Sequence, residues 1–224
     1  MFEDIGQIKG WLEDLLFPKS CVNCRQEKSW LCGECTKLLK AVAMNLGSHV
    51  FDSGNHLEKL WALTDYNDLL AQKVIQAIKY NFIKELVCSF DSLIVEMEKI
   101  IPAWSREFVL LPVPLHQKRL SYRGFNQAEL ISERISRLLG NPLGDKILKR
   151  KIYTRPQVGL SQAKRRENIK GSFLLDNKVE WRFPRNNVVL IDDVYTTGAT
   201  MGECAEVLQK AGFTNIKGLV IAHG

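Results

Sequence analysis

Residues 188–200, VVLIDDVYTTGAT, constrain the fold of this chain more than any other segment. Val188 to Ile191 have the length and apolar character of a buried strand. Asp192 and Asp193 follow at its carboxyl end, the edge where open α/β sheets bind their ligands. A hydroxyl-rich turn, Thr196-Thr197-Gly198-Ala199-Thr200, then opens a helix. Backbone N–H groups and the positive end of the helix dipole make such a turn an anion site, and threonine hydroxyls add donors. The acids suit the 2- and 3-hydroxyls of a ribose, and the turn suits its 5-phosphate. One strand-turn-helix unit can therefore hold both ends of a ribose phosphate. No G-x-x-x-x-G-K-S/T occurs in the chain, and no G-x-G-x-x-G follows a strand, which sets aside the common nucleotide-binding loops.

Around this unit the pattern alternates between short apolar runs and amphipathic helices. Strands are expected at residues 60–66, 108–114, 147–152, 188–191 and 216–222. Helices are expected from an Asn67 cap through Tyr80, then at about 84–97, 125–139 and 200–211. That order indicates an α/β fold with a largely parallel sheet flanked by helices. Ile5, Ile8, Leu12, Leu15 and Leu16 recur at helical spacing, so the amino terminus reads as an amphipathic helix rather than a signal peptide. No apolar run approaches the length of a membrane span, and the expectation is a cytoplasmic protein with no membrane insertion. The formal net charge of +6 favours anionic partners without separating nucleic acid from small phosphates.

Four of the six cysteines, Cys21, Cys24, Cys32 and Cys35, form C-x2-C-x7-C-x2-C. Two such knuckles offer four thiolates to one tetrahedral ion, so structural Zn2+ is expected, with no ligand position left open for catalysis. Disulfides are disfavoured in a reducing compartment, and two pairs this close argue against a redox C-x-x-C. Cys88 and Cys204 stand alone in apolar contexts and read as small buried residues. The chain divides into a helical zinc-binding module, residues 1–40, and a second domain, residues 41–224.

The 188–200 segment resembles the phosphoribosyl pyrophosphate (PRPP) motif of type I phosphoribosyltransferases. Two further stretches, LLPVPLHQKRLSYRGFNQAE (110–129) and TRPQVGLSQAKRRENIKGSF (154–173), together with the cysteine knuckles, resemble the ComF family, and within it the ComFC competence proteins. The intact R-G-F-N-Q at Arg123 to Gln127 is a distinctive signature of that family. The resemblance spans nearly the full chain. It implies a zinc-bearing amino-terminal region, a type I phosphoribosyltransferase domain and a role in natural transformation, the uptake of foreign DNA. One departure is visible, because relatives often place glycine two residues after a Lys-Tyr pair, and here Lys79-Tyr80-Asn81 runs into Phe82.

Read on their chemistry, the residues after the 108–114 strand supply His116, Lys118, Arg119 and Arg123 on a glycine-containing turn. Arg119 and Arg123 are the candidates to fork onto the pyrophosphate of PRPP. In phosphoribosyltransferases the stretch matching 153–170 is a mobile loop that closes over the reacting centre. Lys164, Arg165 and Arg166 in that stretch could equally contact nucleic-acid phosphates. The implied chemistry is transfer of the phosphoribosyl group to a nitrogen acceptor through an oxocarbenium-like state. Asp192 and Asp193 would hold the ribose, and Mg2+ would arrive with PRPP. The alternative is a non-catalytic module that senses a ligand or associates with single-stranded DNA. Implied partners are PRPP or a related ribose phosphate, single-stranded DNA, and other competence proteins such as a ComF helicase at a membrane-associated uptake machinery.

Overall fold

The computed structural model describes residues 18–41, 44–46, 56–101, 104–154 and 167–224. The amino-terminal amphipathic helix, and with it Arg155, Lys164, Arg165 and Arg166, lies outside the described residues. The main sheet has five strands: β1 (Met44–Leu46), β2 (Lys59–Asp65), β3 (Val109–Pro112), β6 (Val188–Tyr195) and β7 (Ile216–His223), in the order β1-β2-β7-β6-β3. β2, β7, β6 and β3 run parallel, and β1 pairs antiparallel with β2 as an edge strand. All four parallel strands therefore end at one edge, where the sequence places its acids.

Strand pleating splits the core into two layers. Trp61, Leu63, Leu110, Val189, Ile191, Leu219 and Ile221 face one layer. Helices α2 (Leu69–Tyr80), α3 (Asp91–Ile100) and α5 (Gln127–Leu139) pack there, with a 3-10 segment, Lys84–Phe90, leading into α3. Leu60, Ala62, Leu111, Val188, Leu190 and Val220 face the other layer, which holds α6 (Ala199–Lys210). The alternation along β6 sends Asp192 and Asp193 to opposite faces.

Several expectations need correction. The run at 147–152 does not join the main sheet; β4 (Leu148–Arg150) instead pairs antiparallel with β5 (Phe173–Leu175) in a separate two-stranded sheet. β6 does not stop at Ile191 but carries both acids within it. The cap of α2 is Asp68 rather than Asn67, its carboxylate accepting from the N–H groups of Leu70 at 2.8 Å and Ala71 at 3.0 Å. The supposed loop holding Arg119 and Arg123 is helix α4 (Gln117–Arg123), capped by His116 and ended by left-handed Gly124. Cys204 is buried as expected, but Cys88 is exposed on the 3-10 segment. Among the described residues, no helix is long and apolar enough to cross a membrane.

The cysteines form a compact knuckle on the first layer, docked through Val22, Trp30 and Leu31. Arg25 turns the chain with φ 69° after the first pair; of the second pair, Cys32 is the N-cap of helix α1 (Gly33–Thr36) and Cys35 lies within it. The four Sγ atoms lie within 4.8 Å of one another, a spacing compatible with one metal ion. Burial raises the Cys21 thiol, but N–H groups of Cys24, Cys32 and Asn23 outweigh it and bring the pKa to about 6.

Candidate functional site

The site begins with the two acids of β6 and the layers they enter. Asp193 meets Lys79 from the last turn of α2, Nζ to Oδ2 2.9 Å, with side-chain exposures of only 21% and 13%. Burial alone would lower the Lys79 pKa, but the charge and hydrogen bond of Asp193 raise it above its ordinary value. Asp192, on the other face, is pushed up to about 7 by burial and then by the charge of Asp193. The Asp193 N–H, which bonds its Oδ1 at 2.8 Å, and the charges of Lys79 and Arg150 pull the other way.

After the acids comes the anion turn. Thr196 to Met201 close a small concavity of about 30 Å³ against Asp192. Gly198 sits at φ 71°, and a Cβ there would collide with the ring of buried Tyr195, so this position admits only glycine. Having no side chain, Gly198 leaves the first N–H groups of α6 without a side-chain cap, as an anion-binding helix start requires.

The R-G-F-N-Q signature is the joint between α4 and α5. Arg123 donates to Gln127 Oε1 at 2.6 Å, and Gly124 at φ 77° ends α4. Phe125 enters the core. Asn126 caps α5 by accepting from Ala128 N–H at 3.1 Å and donates to the Val113 carbonyl at 3.0 Å. The joint thus fixes α4 to the end of β3. Arg119 and Arg123, one helical turn apart, share the face that lines the site.

These parts converge on one cleft of about 390 Å³. Lys79, Arg119, Arg123, Arg150, Asp192, Asp193, Gln127 and Thr200 all line it, and Tyr80 and Tyr122 form part of its rim. Four cationic side chains face two carboxylates, so the cleft carries a positive surplus suited to an anionic ligand. The structure thus brings together Asp192, Asp193, Thr200, Arg119 and Arg123, while Thr196, Thr197, Gly198 and Ala199 line the adjoining concavity. Lys164, Arg165 and Arg166 are outside the described residues. The sequence reading gave Arg150 no role in the site, named Lys79 only as half of a Lys-Tyr pair and used Gln127 only as part of a signature. Phe82, two residues after the Lys79-Tyr80 pair, adopts a left-handed φ of 60°, and its ring meets Tyr122 edge-on at 5.5 Å.

Because Asp192 titrates higher in the folded chain than in the unfolded one, its contribution to stability is full below about pH 4. That contribution fades as pH rises to about 7. Asp192→Asn should therefore gain thermal stability relative to the parent chain as pH rises from 5 to 8. Parallel unfolding profiles for the two proteins would contradict this.

No family model matches the chain. Competence protein F of Haemophilus influenzae is 33% identical over 217 residues, covering 88% of this chain and 93% of that protein. The chain belongs to the ComF family. Competence protein ComFC of Bacillus subtilis is 32% identical over 148 residues, covering 66% of this ComF chain and 56% of its own length. DNA utilization protein YhgH of Escherichia coli K12 is 31% identical over 160 residues, covering 69% of this chain and 67% of its own.

Proposed function

We propose that this ComF-family protein serves natural competence, the uptake and use of foreign DNA, through a cleft that binds PRPP. The competence and DNA-utilization names of its relatives support the process. The observation that carries the ligand is the meeting, at one sheet edge, of the acid pair, the uncapped helix turn and several guanidinium groups. The turn Thr196–Thr200 takes the 5-phosphate, Asp192 and Asp193 take the ribose hydroxyls, and Arg119 and Arg123 take the pyrophosphate. Mg2+ arriving with PRPP would supply charge neutralisation for the leaving pyrophosphate, beside Arg119 and Arg123. The acids then lie beside the anomeric carbon, where their charge favours the developing cation. Residues 1–40 serve as a zinc-binding module through Cys21, Cys24, Cys32 and Cys35, and residues 41–224 as the phosphoribosyltransferase domain. Single-stranded DNA and other competence proteins, a ComF helicase among them, are the partners consistent with that role.

Titration with PRPP and Mg2+ tests the reading. Asp192→Asn and Asp193→Asn should each weaken binding about ten- to a hundred-fold, the loss of one charge-assisted hydrogen bond or more. Unchanged affinity in the double variant would refute the site. Pyrophosphate release with nitrogen-base acceptors would establish a transferase, whereas tight binding without release would assign the cleft to ligand sensing.

A further inference from the structure

Buried polar atoms without partners are uncommon in folded proteins, because each costs the desolvation of a hydrogen-bonding group. Two of them line the cleft. Gln127 is 3% exposed; its Oε1 accepts from Arg123, while its Nε2 has no partner. Arg150 is 9% exposed; its Nη2 donates to Thr154 Oγ1 at 2.6 Å, while its Nε has none. Its guanidinium lies over the Phe173 ring, 5.2 Å from the centroid. Arg150 accompanies Asp192, whose charge acts on it, and Gln127 accompanies Asp193.

We propose that Arg150 and Gln127 are ligand-binding residues whose unpartnered N–H groups are completed by the bound molecule as the cleft adjusts around it. This assignment rests on the ribose-phosphate reading of the cleft. Arg150, a buried cation with no carboxylate in hydrogen-bond contact among the described residues, takes a phosphate oxygen. Gln127 and Asp193 line the same part of the cleft, so the amide offers a donor and the carboxylate an acceptor to one ligand. That pair fits a ribose hydroxyl, which gives its proton to the acid and accepts from the amide. Opposite faces of β6 thereby hold two kinds of ligand oxygen, an anionic one and a neutral one.

The test uses the full chain with three probes: PRPP with Mg2+, ribose 5-phosphate and inorganic pyrophosphate. Gln127→Met should weaken PRPP and ribose 5-phosphate by about ten-fold, the loss of one well-placed hydrogen bond, and leave pyrophosphate unaffected. Arg150→Met should weaken PRPP by ten-fold or more, together with at least one of the fragments, which identifies the phosphate it holds. Arg150→Lys keeps the charge and stem but loses the fork, so it should also weaken PRPP, and it carries the test if the methionine variant fails to fold. A purely structural role predicts the reverse pattern, lower unfolding temperatures with affinities intact. Parent-level affinities in the folded variants would overturn this assignment alone. Parent protein that binds none of the probes would overturn the ribose-phosphate reading itself, and this assignment with it.

Discussion

Replacing Lys79 by methionine should destabilise the protein by about 3–5 kcal/mol, the usual cost of breaking a buried ion pair from one side. The substitution leaves Asp193 13% exposed with its cation gone, and Asp192 is the adjacent residue. Asp193 would then face the first layer without its ammonium, next in the strand to a second acid. Adding Asp193→Asn should recover much of the loss, because the stranded charge is removed with its partner. Denaturant unfolding of the four proteins of this cycle measures the coupling directly. A single variant within 1 kcal/mol of the parent would show that the ion pair contributes little.

Stripping metal from the cysteine knuckle should have a larger effect still. Structural zinc in small modules supplies about 10–16 kcal/mol of apparent binding energy at neutral pH, and most of it is folding energy. Here α1 has four residues, and among the described residues the knuckle rests on the core through little more than Val22, Trp30 and Leu31. Without a metal, the buried sulfurs of Cys21, Cys32 and Cys35 would have little else to hold them together. Protein purified without added zinc should contain close to one zinc per chain. Chelation or Cys21→Ser should unfold the knuckle and expose Trp30, visible in near-ultraviolet circular dichroism. Full retention of that signal and of solubility in metal-free protein would remove the metal from the account.

The parts of the fold that were legible in the sequence are those governed by local pattern. Val188 to Ile191 announce a strand by composition, and Gly198 announces a special turn. The parallel sheet follows from strand and helix alternating along the chain. Helix α4 was not legible because it buries no residue, so no apolar periodicity marks it; its cap at His116 and its stop at Gly124 create it. The 147–152 run was not separated from the main sheet, and β5 was not foreseen, because a three-residue strand has the same signature in any sheet. Lys79 and Arg150 escaped for a different reason. Each earns its place through a partner distant in sequence, and on a single helix or strand a lysine or arginine reads as a solvated charge.

The turn at Phe82 has a mechanical consequence. A left-handed backbone costs a residue with a Cβ roughly 1–2 kcal/mol, so this turn is held under tension by what surrounds it. Its ring is braced against Tyr122 of α4, while the chain just before it carries Lys79 and Tyr80. The Phe82–Tyr122 contact therefore joins the chain after Lys79, which grips Asp193, to the helix that carries Arg119 and Arg123. A ligand that moved both walls of the cleft together would leave the Phe82–Tyr122 contact intact, and one that moved a single wall would open it.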